Sequence, residues 1–156
     1  MQKITGRNNI EVLYSSHHLS HAASSFYTSP FKTSLVLVMD AVGEWESSSA
    51  WYGEGSKLTK LWSQNFPHSI GLFYSTMTQY LGLKVNSGEY KLMGLAPYGK
   101  PKYLHQLSKL IELHLNPLIG IKLNLEFFDF ISGNKMVSNK ISKELCPIIS
   151  NLKIKN

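Results

Sequence analysis

Apolar and polar positions recur with different periods along the chain, and each change of period predicts an element. Residues 10–14, "IEVLY", read as a short strand. Ser15 and Ser16 then offer N-caps to a helix from His17 to about Thr28, which Pro30 closes. "SLVLVMD" (34–40) is a near-continuous apolar run ending in an aspartate, the pattern of a buried strand that delivers a carboxylate at its end. A glycine turn leads to a second strand around 48–53 and a third, "LTKLWSQN" (58–65), so a three-stranded meander is expected. In "HSIGLFYSTMTQYLG" (68–82), Ile70, Phe73, Met77, Tyr80 and Leu81 fall at helical spacings, and Gly82 suits the C-cap. Residues 83–101 carry glycines and short polar side chains and predict a loop with at most one helical turn. "YLHQLSKLIELHL" (103–115) predicts another amphipathic helix, and "IKLNLEFFDF" (121–130) alternates like a strand. The class is α/β or α+β, with residues 1–146 as the domain and 147–156 as a polar, lysine- and asparagine-rich tail.

Composition changes this picture little. A chain of 156 residues with 43% hydrophobic content can bury one real core and is too apolar to be disordered. Cys146 is the single cysteine, so no intramolecular disulfide can form, which suits a reducing cytoplasm. No apolar run approaches the roughly 20 residues of a membrane span, and the first residues lack the apolar core of a secretory signal. A cytoplasmic protein without a membrane partner is expected. The formal charge of +6 rests almost wholly on lysine, Arg7 being the one arginine, and suits an anionic ligand such as a nucleotide or phosphate. Lysine and arginine are nowhere dense and interleaved with aromatics, so nucleic acid is not singled out.

Two stretches carry candidate chemistry. In "HHLSHAASSFY", His17 and His21 lie four apart and share one face of a helix, whereas His18 points about 100° away. Two neutral imidazoles and a carboxylate suit a divalent transition metal, with iron, manganese and zinc all fitting; Asp40 is the best third donor. The pattern is not that of HExxH metalloproteases, because His18 stands where the general-base glutamate would be. The alternative is a capped helix whose histidines are exposed or merely hydrogen-bonded. In "VNSGEYKLMGLAPYG" (85–99), Gly88, Gly94 and Gly99 let a backbone approach a ligand closely. Glu89 could accept from ribose hydroxyls and Lys91 could meet a phosphate, beside Asn86 and Ser87. The segment matches neither the P-loop nor GxGxxG, and a purely structural loop is the competing reading.

Taken in order, "HHLSHAASSFYTSPF", "LVLVMDAVGEW", "FPHSIGLFYSTMTQYLGLKVNSGEYKLMGLAPYGKP" and "LNLEFFDF" resemble the O-carbamoyltransferases of the NodU and CmcH type over roughly residues 10–145. The resemblance implies part of an actin/Hsp70-like ATPase fold of the TsaD-like branch, a mixed sheet with flanking helices. It implies a metal, iron in the family, at His17, His21 and Asp40. It places Gly43 and Glu44, and Asn86, Gly88, Glu89 and Lys91, near phosphate or the adenosine of a carbamoyl-adenylate derived from ATP; no catalytic residue is assigned. The implied reaction passes a carbamoyl group to a hydroxyl of a small-molecule acceptor, a sugar, aminoglycoside, cephalosporin-type ring or lipo-oligosaccharide.

Family members are several times longer. They begin with a glycine-rich phosphate-binding hairpin and an early catalytic histidine, carry a later aspartate for the metal, and add a YrdC-like domain that makes the adenylate. None of these is found in this sequence. The chain is therefore expected to be a fragment with little transfer activity alone, either an inactive remnant or a subunit completed by separately encoded domains. A tRNA threonylcarbamoyl-type transfer is the more distant alternative, and "NSGEYKLMGLAPYG" argues against it.

Overall fold

The computed structural model describes residues 11–114 and 120–145. Helix α1 (His17–Phe26) forms where His18, Ala22 and Phe26, spaced by four, make one buried stripe. Ser16 sits at its N-cap, but its side chain makes no capping bond; the Ser16 carbonyl instead accepts from the backbone and hydroxyl of Ser20. Three strands follow: β1 (Thr33–Gly43), β2 (Glu46–Glu54) and β3 (Lys57–Asn65). They form an antiparallel sheet in the order β1-β2-β3, as the expected meander requires. Glu44, at φ 62°, turns β1 into β2, and Gly55, at φ 56°, turns β2 into β3. Helix α1 lies on this sheet, and Ala22, Phe26, Val36, Val38 and Trp51 form the core between them.

Helix α2 (Ile70–Tyr80) is capped at both ends as its sequence suggests. The Ser69 hydroxyl accepts from the Leu72 N–H. Gly82, at φ 78°, lets its own N–H reach Gln79 and that of Leu83 reach Thr78, the paired bonds of a Schellman ending. Beyond it come α3 (Glu89–Leu95), a 3-10 turn (Ala96–Tyr98), α4 (Leu104–Leu107), β4 (Ile111–Leu113), β5 (Ile121–Leu123), a second 3-10 turn (Leu125–Phe127) and α5 (Asn139–Glu144). Leu110, Leu123, Phe128, Ile141 and Leu145 make a second core, against which α2 packs Phe73, Met77 and Tyr80. Gln64 and His68 tie the two halves together: the Ile121 N–H reaches Gln64 Oε1 at 3.3 Å, and the Leu123 N–H reaches His68 Nδ1 at 3.1 Å.

The α+β class holds, with both sheets antiparallel. Several elements differ from their expected form. Residues 11–14 are exposed and form no strand, because no described strand pairs there. β1 buries Val36 and Val38, but Leu35, Leu37 and Met39 stay exposed on the other face. Within 83–101, α3 and the 3-10 turn make more helix than one turn. The 103–115 helix stops at Leu107, since Ile111, Glu112 and Leu113 pair with Leu123, Lys122 and Ile121. There, sheet pairing around the fully buried Leu110 overrides helical spacing. The 121–130 strand shortens to β5, because Asn124 caps a 3-10 turn. The polar tail lies outside the described residues. Among the described residues, no helix is long and apolar enough to cross a membrane.

Candidate metal centre

The site is built where β1 loses its regular pairing. The β1–β2 register shifts between Met39 and Gly43, and Asp40 lies in that irregular stretch. Such irregularities free backbone carbonyls and re-aim side chains. Here the buried Ser69 hydroxyl, at the N-cap of α2, donates to the carbonyls of Asp40 (3.1 Å) and Ala41 (2.7 Å). The Ala41 N–H donates to Asp40 Oδ1 at 2.7 Å, leaving Oδ2 to face α1. Ser69 of "FPHSIG" therefore holds the backbone that carries the carboxylate.

From α1, His17 Nε2 lies 2.6 Å from Asp40 Oδ2, His21 Nε2 lies 2.9 Å from His17 Nε2, and His21 Nε2 lies 3.7 Å from Asp40 Oδ2. Two observations argue that this is more than a hydrogen-bonded cluster. His17 Nε2 has a single in-plane lobe, so it can carry a hydrogen to Asp40 or accept one from His21, not both. A tetrahedral ion with bonds of about 2.0–2.1 Å holds its donors about 3.3 Å apart, inside the range spanned by these three separations. The donors are those of a borderline divalent cation, and they fit one. His17 and His21 are 42% and 53% exposed and Asp40 30%, so a ligand could reach them from solvent. Beside them a cleft of about 340 Å³ runs between α1 and β1, past Ser24, Ser25, Leu37 and Met39.

Electrostatics keep the carboxylate ready. Partial burial raises the Asp40 pKa, but the Ala41 N–H, the His17 hydrogen bond and the charges of His17 and His21 outweigh it and hold the pKa below the usual value. Asp40 is therefore ionised at neutral pH. Gly43 closes the site from below: a Cβ there would stand 2.3 Å from His17 Cδ2 and 2.9 Å from His18 Cδ2. Glycine is required by this approach of the two rings. Glu44 is exposed in the turn beyond.

The structure places the other four expected residues together, around the start of α3. The Glu89 carboxylate accepts from the N–H groups of Asn86 (3.0 Å) and Gly88 (3.1 Å) and from the Ser75 hydroxyl of α2 (3.1 Å). The Asn86 bond is the largest influence on Glu89 and draws its pKa below the ordinary range. Asn86 adopts a left-handed φ of 67°. A Cβ on Gly88 would stand 2.6 Å from the Lys84 carbonyl. Lys91 is exposed, with Nζ 5.9 Å from the Tyr90 ring.

With the geometry in place, comparison with known proteins gives the family. Residues 2–153 match the model described as the carbamoyltransferase N-terminus. The chain belongs to this family. It is 50% identical over 137 residues to an uncharacterized protein of Synechocystis sp., covering 84% of this chain and 21% of that protein. It is 42% identical over 90 residues to the nodulation protein NolNO of Sinorhizobium fredii, covering 58% of this chain and 13% of the relative. It is 41% identical over 98 residues to the nodulation protein NolO of Bradyrhizobium diazoefficiens, covering 62% and 18%. The chain thus spans about a fifth or less of the length of these relatives.

Sequence reading missed three residues that support the histidine and aspartate cluster. Ser69 anchors Asp40, while Ser49 and Trp51 hold His18 (Ser49 Oγ lies 2.8 Å from both His18 Nδ1 and Trp51 Nε1). The signal for His18 was present: spacing by four from His18 to Ala22 and Phe26 puts it on the core face, one position from the face of His17 and His21.

Proposed function

We propose that this carbamoyltransferase segment holds one divalent cation, iron(II) by family resemblance, on His17 Nε2, His21 Nε2 and Asp40 Oδ2. The convergence of these three donors, which hydrogen bonding alone cannot satisfy, carries the reading. A cation bound there would supply Lewis acidity toward carbamoyl or phosphate oxygens. The chain's own contribution is positional: Ser69 and the Ala41 N–H fix Asp40, and the first turn of α1 presents both imidazoles to the same point. In the full-length enzyme, of actin-like TsaD type, the acceptor hydroxyl oxygen attacks the carbamoyl carbon of a carbamoyl-adenylate. The bond from that carbon to the phosphate oxygen breaks, and AMP leaves.

Gly43 and Glu44 lie at the turn beside the cation donors, within reach of a phosphate placed there, and Asn86 and Lys91 are exposed for an adenylate. Glu89 and Gly88 act on the adenylate segment indirectly, by shaping the turn that presents those neighbours. Because the donors are so exposed and the relatives so much longer, the chain alone is expected to bind cation but not to turn over. A transfer assay with ATP, carbamoyl phosphate and an acceptor, run beside metal analysis, tests both halves. The expected result is metal retention without product, with transfer appearing when the remaining domains are supplied; robust transfer by the chain alone would overturn the division.

A further inference from the structure

We infer that His18 is a positioning residue for the cation site, a buried lock that fixes the rotation of α1 and so sets where His17 and His21 point. The inference rests on the cation reading above. His18 is fully buried, unlike the two histidines that flank it in the motif. Its Nδ1 lies 2.8 Å from Ser49 Oγ, and the Trp51 indole N–H donates to the same oxygen at 2.8 Å. Ser49 and Trp51 are both buried on β2. The Ser49 oxygen accepts the indole hydrogen and still has a lone pair and its own hydrogen to offer, so it pairs with His18 Nδ1 in either tautomer, and Glu46 Oε2 lies 3.7 Å from the same nitrogen. The His18 Nε2 atom is buried without a partner among the described residues, so the ring is held through Nδ1.

Geometry makes that bond consequential. His17 and His18 are adjacent on α1, and Gly43 lies against both rings. On a helix of about 5–6 Å side-chain radius, a rotation of about 20° moves a side-chain tip by about 2 Å. Metal–ligand bonds tolerate about 0.2 Å. The Ser49–His18 bond ties the first turn of α1 to β2, where it resists that rotation. A sequence with leucine at 18 would fill the core equally well and lose the lock.

The test uses the 156-residue chain with cobalt(II) as the probe. His18→Leu is expected to lower cobalt affinity by about 10–100-fold and to alter the cobalt absorption bands, the scale seen when an outer partner of a ligand is lost. His18→Asn, whose side-chain oxygen can take the place of Nδ1, is expected to restore affinity and bands. Ile141→Ala, a cavity in the second core, serves as a control that destabilises the fold without changing either. Wild-type affinity and bands in His18→Leu would overturn the positioning role alone. A wild type that takes up no cobalt would overturn the cation reading, and the positioning role with it.

Discussion

The histidine cluster and the 83–101 segment carry the same kind of sequence signal, polar side chains gathered around glycine, and the fold treats them in opposite ways. At the cluster, three donors meet in an arrangement that their own hydrogen bonds cannot satisfy. In the other segment, the Glu89 carboxylate receives two backbone N–H groups and a hydroxyl from its own chain. One region leaves convergent donors open to solvent; the other engages its carboxylate within its own fold. The sequence signal is shared, and the fold alone separates three convergent donors from a carboxylate already engaged by its own chain.

The comparison breaks most readily at a ligand. His17→Ala should reduce divalent-cation affinity by more than the roughly 10–100-fold that an outer-shell change costs, as read by calorimetry. Its thermal stability should change little, because the side chain is largely exposed. Glu89→Ala should do the reverse. Losing this acceptor of three hydrogen bonds costs about 1–2 kcal/mol in urea unfolding, and cation affinity should stay at the wild-type value. A loss of cation binding in Glu89→Ala would show that the two regions are coupled.

Acid sharpens the contrast. Asp40 and Glu89 both titrate below the usual carboxylate range, so near pH 4 the folded chain binds fewer protons than the unfolded one. The stability each supplies is present above the ordinary carboxylate pKa, and is lost as pH falls through the lowered folded value. Urea midpoints measured between pH 7 and pH 3 should fall in the wild type and fall less steeply in Glu89→Gln. The smallest effect belongs to Lys91→Ala, which should alter stability by no more than about 0.5 kcal/mol and leave cation affinity intact. AMP binding by the chain, if Lys91 meets the phosphate, should weaken in the same variant.

Much of the site was legible because its elements are local. Spacing by four put His17 and His21 on one face, and the apolar run into Asp40 delivered the carboxylate, both as the structure has them. The meander and α2 with its caps followed from alternation, helical spacing and Gly82. What was not legible depended on partners that the fold brings in. "YLHQLSKLIELHL" has helical spacing, but Ile111–Leu113 finds β5 across the chain. Beside the ribose contact expected of Glu89, the three donors of its own fold that engage it were not legible. Ser69 read simply as part of a helix start, and only the fold shows it holding the carbonyls of Asp40 and Ala41. His18 read as the odd histidine out, and only Ser49 and Trp51, thirty or so positions on, give it a role.

The most direct measurement is an anaerobic calorimetric titration of the purified chain with iron(II), beside His21→Ala and Asp40→Asn. One ion per chain in the wild type, with binding severely weakened in both variants, is the predicted result. Absence of iron uptake, or uptake unchanged by either substitution, would contradict the assignment of His17, His21 and Asp40 as a cation site.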